Sequence, residues 1–103
     1  MPKFVYMVEF DWSTEENSDK EIQLYSNYAD AVKRFNEIIA NELNPEMSWV
    51  GNSVFREDGS VNDGFTFTCC TDAEGEGDLW WYVARKGDSN IRSFIDLKKI
   101  EIS

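Results

Sequence analysis

The chain reads as an α+β protein: an antiparallel sheet of about five to six strands with one amphipathic helix packed on one face, in the order ββαββββ. Three observations carry that reading. Several segments alternate apolar and polar residues at period two, one segment near residues 27–44 switches to helical period, and glycine-rich or acidic stretches punctuate the rest. A length of 103 residues sets a single domain, 1–103, with one core. At 42% hydrophobic and 15% aromatic residues, the chain carries enough apolar surface to fold.

The first element is a strand over Lys3 to Trp12, with Phe4, Tyr6, Val8, Phe10 and Trp12 on one face. Val5 and Met7 make its other face partly apolar, which places it centrally in the sheet. A polar run from Ser13 to Lys20 forms a long acidic loop, and Glu21 to Tyr25 completes a hairpin in which Ile22 and Leu24 share a face. From Asn27 the residues Tyr28, Ala31, Val32, Phe35, Ile38, Ile39 and Leu43 form a helical stripe, capped by Ser26 or Asn27 and ended at Asn44-Pro45. On its polar side Asp30 with Arg34 and Lys33 with Glu37 are spaced as ion pairs.

After Pro45, short strands are expected at Met47 to Phe55, Phe65 to Thr71 and Asp78 to Arg85, separated by turns at Arg56 to Gly64 and Asp72 to Gly77. Lys86 to Asn90 reads as a further turn. Ile91 to Ile102 has helical spacing at its start, but a strand with a bulge at Lys98-Lys99 is the favoured reading. One helix covers only part of such a sheet, so curvature, a second copy or a partner is expected to cover the other face.

Composition limits the chemistry. The chain has no histidine, which removes histidine-dependent triads and the commonest general acid or base, so no enzyme activity is expected. Cys69 and Cys70 are adjacent, and neighbouring side chains on a strand point to opposite faces; they read as reduced thiols, with core packing as their default role. The segment Asp72, Glu74, Glu76, Gly77, Asp78 has the alternate spacing of a calcium loop, yet Val83 stands where the closing glutamate is required, and a solvated acidic turn is the better reading. No metal and no cofactor are expected. No stretch is apolar enough to span a bilayer, and Met1 to Phe10 lacks the pattern of a signal peptide, so the cytosol is the expected compartment.

The formal net charge is −10, from 20 acidic against 10 basic residues. Such a surface repels nucleic acid and anionic membranes and attracts basic proteins. Ten of those 20 acids fall in three turns: Glu15, Glu16 and Asp19; Glu57, Asp58 and Asp63; Asp72, Glu74, Glu76 and Asp78. Brought together, they would offer carboxylates in place of the phosphates that an arginine-lined groove normally holds. Trp80 and Tyr82 are a candidate aromatic contact beside them, with Trp81 assigned to the core.

The opening strand ending in Asp11-Trp12-Ser13, its polar loop, and Tyr28-Ala29-Asp30-Ala31-Val32-Lys33-Arg34-Phe35-Asn36 resemble small acidic proteins of phages and prophages in gut bacteria. Among these the chain is most similar to the small type II anti-CRISPR inhibitors in length, acidity and lack of catalytic residues. The resemblance implies a non-enzymatic inhibitor in the host cytosol that meets a basic surface of a type II CRISPR nuclease or its guide-RNA complex, as a monomer or weak homodimer. It assigns no role to an individual residue. The alternative is an accessory α+β protein that self-associates or mediates assembly, its acidity serving solubility.

Overall fold

A computed structural model describes residues 3–102, with Ser89 described by its backbone alone; Met1 and Pro2 of the chain start considered above lie outside the described residues. The strands are β1 (Lys3–Ser13), β2 (Ser18–Tyr25), β3 (Phe65–Cys70), β4 (Leu79–Arg85) and β5 (Asp88–Ile102), and the helices are α1 (Tyr28–Leu43) and α2 (Trp49–Ser53). All five strands form one sheet in the order β2-β1-β5-β4-β3, antiparallel throughout. The chain is thus α+β, with five strands and two helices among the described residues.

The period-two reading of the first strand holds. β1 lies between β2 and β5, and its Tyr6 and Val8 are buried beneath α1. Asn27 caps α1, its side-chain oxygen accepting the Asp30 N–H at 2.9 Å. Ala31, Phe35 and Ile38 then pack on Val8, Leu79, Trp81, Val83, Ile95 and Leu97 of the sheet. Arg34 does not pair with Asp30; its guanidinium reaches Glu21 and Glu37 at 3.7 and 3.6 Å and donates to Gln23 Oε1 at 3.0 Å.

The segment Met47 to Phe55 is not a strand. Ser48 accepts the Val50 N–H and starts α2, whose Val50, with Val54 just beyond it, is fully buried one helical turn apart. A Cβ on Gly51 would stand 2.5 Å from the Leu43 carbonyl oxygen, so only glycine lets α2 abut the end of α1 this closely. The short helix and Phe55 cover the half of the sheet that α1 leaves bare: Phe55, Phe67 and Trp81 form an edge-to-face cluster, and Trp49 lies tilted on Phe65.

Three boundaries also move. The hairpin turn between β1 and β2 is only residues 14–17, so Asp19 sits on a strand rather than in a long loop. The turn between β4 and β5 narrows to Lys86-Gly87, with Gly87 at φ 78°. β5 is an unbroken strand with no bulge at Lys98-Lys99: its register with β1 runs continuously from Arg92 opposite Ser13 to Ile102 opposite Lys3, and the irregularity lies at Ala84/Arg85 instead. The change of apolar parity along β5 is a change of face. Ile95 and Leu97 face the helices and are fully buried, whereas Ile100 and Ile102 face away.

Among the described residues, nothing covers the second face of the sheet. It carries Val5, Met7, Ile22, Leu24, Ile100 and Ile102 at one end, with Ile22, Leu24 and Ile102 respectively 53%, 63% and 46% exposed. Farther along, it carries ion pairs beside the aromatic residues Trp80, Tyr82 and Phe94: Lys20 bonds Glu9 at 2.6 Å and Arg92 bonds Asp11 at 3.2 Å. Among the described residues no helix is long and apolar enough to cross a membrane.

Candidate functional site

Strand directions decide where the acidic segments go. The turns at residues 14–17 and 86–87 lie at the same end of the sheet, because β1 and β4 both finish there. The segment entering β3 arrives at that end too, with the Lys86 N–H donating to the Gly64 carbonyl at 2.7 Å. The result is a cleft of about 650 Å³ in which Glu15, Glu16 and Asp63 surround a floor of Trp49, Phe65 and Ile91. Two of the three acidic segments therefore meet.

Within this cleft the carboxylates project into water. Glu15 and Asp63 are 75% and 102% exposed at their side chains, the former 3.3 Å from Arg85 and the latter 3.4 Å from Arg56. Such exposed pairs contribute little to stability, so both carboxylates can exchange their arginine for another. Glu57 and Asp58 belong to the tight turn leading into Asp63. Asp58 accepts both the N–H and the hydroxyl of Ser60, at 2.9 and 2.6 Å, and the hydroxyl bond holds its carboxyl below the usual aspartate value. Asp19 stands apart on β2, its carboxylate accepting the Lys20 N–H at 2.8 Å.

The third segment lies at the opposite end. Residues 71–78 join β3 to β4 and fold over the start of α1, where the Tyr28 hydroxyl donates to the Gly77 carbonyl at 2.9 Å. Glu76 accepts the Tyr6 hydroxyl at 2.7 Å and the Lys99 ammonium at 3.0 Å, and these bonds, the tyrosine's first, lower its pKa. It serves the fold. Asp72, Glu74 and Asp78 are exposed around it. Among the described residues no three acidic or cysteine side chains are grouped to hold a metal ion.

Trp81 is buried, with 3% exposure, while Trp80 and Tyr82 lie half-buried on the uncovered face, away from the acidic cleft. Tyr82 tilts over Phe94, with ring centres 5.0 Å apart, and donates its hydroxyl to Asp96. Burial raises the pKa of both groups, and for Asp96 the register puts Glu9 directly opposite, a like charge that adds to the effect. Cys69 and Cys70 are free; Cys69 is exposed rather than in the core, and Cys70 packs partly against it.

The sequence reading overlooked a buried carboxylate. Glu42 is only 7% exposed and accepts hydroxyls from Ser48 and from the fully buried Ser93, the latter at 3.2 Å. A signal was present: Glu42 is seven residues past Phe35 and four past Ile38, on the buried stripe, whereas Leu43, assigned to that stripe, is 45% exposed. Trp49 and Arg85 of the cleft carried no such signal, since only the fold brings them beside Glu15. Comparison with family models, with curated proteins and with solved structures finds no match to this chain.

Proposed function

We propose that this protein is a non-enzymatic inhibitor that docks the acidic cleft onto an arginine- and lysine-rich protein surface. The convergence of Glu15, Glu16 and Asp63 over an aromatic floor carries the reading. Three exposed carboxylates, two on the β1–β2 turn and one on the segment entering β3, are arranged to replace the phosphates held by a basic groove, and Trp49 and Phe65 offer the apolar centre that such an interface needs. The resemblance of about the first 45 residues to phage proteins directs the partner to a type II RNA-guided nuclease or its guide complex. Its DNA channel and its reader of the short flanking motif are both basic.

The test is target-DNA cleavage by several orthologous type II nucleases with and without the protein. Cleavage is expected to fall, and unchanged cleavage by all of them ends this assignment. The variant Glu15→Gln/Glu16→Gln/Asp63→Asn is expected to inhibit at least about tenfold more weakly while remaining folded, since each replaced group is exposed.

One observation favours a second reading. Ile22, Leu24 and Ile102 stand exposed on the uncovered face, two of them on the edge strand β2, where a second copy could add its own strand. Light scattering separates the readings: a monomer whose partner binding weakens steeply with salt supports the inhibitor, and a salt-insensitive dimer supports assembly.

A further inference from the structure

We propose that Glu42 and the aromatic groove around it receive the guanidinium group of an arginine side chain presented by a partner protein. The groove, about 250 Å³, is lined by Phe10, Trp12, Glu42, Met47, Ser48 and Trp49. That is below the size of pockets for whole small-molecule ligands, roughly 300–1,000 Å³, and suits a side-chain head group.

The case begins with a charge that lacks a counter-charge. Glu42 is buried, yet its hydrogen-bond partners are two neutral hydroxyls, and among the described residues it makes no ion pair. Arg34 lines the adjoining groove with Glu42, but its guanidinium is engaged by Glu21, Glu37 and Gln23. A carboxylate held this way is costly unless a cation arrives to pair with it. Each of its oxygens accepts one serine hydroxyl and keeps a lone pair for another donor.

The walls select which cation. Indole and phenyl faces attract cations and stack on a planar guanidinium, which also presents paired donors to a carboxylate edge and is more weakly hydrated than an ammonium. Trp49 lines both this groove and the acidic cleft, so an arginine seated at Glu42 sets the chain that bears it beside Glu15, Glu16 and Asp63. The inference rests on the proposed basic partner only for the origin of the arginine.

The site is tested with a small probe, independently of any nuclease. Indole N–H signals of Trp12 and Trp49 are followed by NMR while N-acetyl-arginine methylamide is added, with the citrulline and lysine counterparts as controls. The arginine probe is expected to shift both signals saturably, with Kd on the order of 1 mM, while citrulline leaves them unmoved and lysine binds more weakly. Glu42→Gln is expected to weaken binding by at least about tenfold. Met47, 64% exposed on the rim, gives a second variant that tolerates change: Met47→Arg supplies a guanidinium from within and is expected to abolish the response. An equal response to citrulline, lysine binding as tight as arginine, or undiminished binding in both variants overturns the proposal.

Discussion

Glu42 shows how one misplaced charge governs more than its own surroundings. Burial raises its pKa above the ordinary glutamate value of 4.5, against the opposing effect of hydroxyls from Ser48 and Ser93. The folded chain therefore holds this proton more tightly than the unfolded chain does. Stability from this group is full below the unfolded value and is lost as pH rises through the higher folded value. Replacement by glutamine keeps the shape and removes the titration. Urea unfolding of wild type and Glu42→Gln across pH 4 to 7.5 is expected to give curves that separate as pH rises, with the variant gaining relative to wild type towards the upper end. Parallel curves would mean that Glu42 titrates normally. Glu76 is the opposite case, its pKa lowered by Tyr6 and then Lys99 at an exposed site, so it contributes stability only once ionised.

Among the elements, those whose neighbours are adjacent in sequence were the legible ones. β1 and α1 declare their faces through period two and period 3.6, and Asn27 declares its cap. α2 was hidden because Trp49, Val50, Val54 and Phe55 form an apolar scatter too short to distinguish helix from strand. What decides it is tertiary: Gly51 lets the segment turn against Leu43, and the bare half of the sheet gains a cover. The exposed pair Ile22 and Leu24 was legible as one face of a strand, but not as the uncovered face. The register that points them outward depends on which side of β1 receives α1. Gly51→Ala tests the close approach directly. A Cβ 2.5 Å from a backbone oxygen forces α1 and α2 apart, so the substitution is expected to lower stability by about 1–3 kcal/mol despite its better helix propensity. For a domain of this size each 1 kcal/mol lowers Tm by roughly 4–8 °C. A variant as stable as wild type would show that the helix pair yields freely.

Across the whole molecule, the acidic turns divide between two ends. Glu15, Glu16 and Asp63 occupy one; Asp72, Glu74 and Asp78 occupy the other, beyond the start of α1. Composition reports the sum of these charges, while antiparallel strand order decides that two clusters meet and the third does not. The two ends are separated by the 7 residues of β4, roughly 23 Å at about 3.3 Å per residue, which is nearly three times the screening length of about 8 Å at physiological ionic strength. A partner held at the cleft thus meets the near carboxylates as contacts and senses the far ones only through the general field. Contacts act mainly on dissociation, the field on association. The variant Asp72→Asn/Glu74→Gln/Asp78→Asn leaves Glu76 to its bonds with Tyr6 and Lys99 and removes three charges from the far end. With the basic partner immobilised, this variant is expected to associate more slowly at about 20 mM salt and to bind within about twofold of wild type at 150 mM, its dissociation rate unchanged. The cleft variant is expected to dissociate faster at both salt concentrations. If the far-end variant instead dissociates faster at 150 mM, the partner is held at the 71–78 segment, and the docking surface belongs at that end of the sheet.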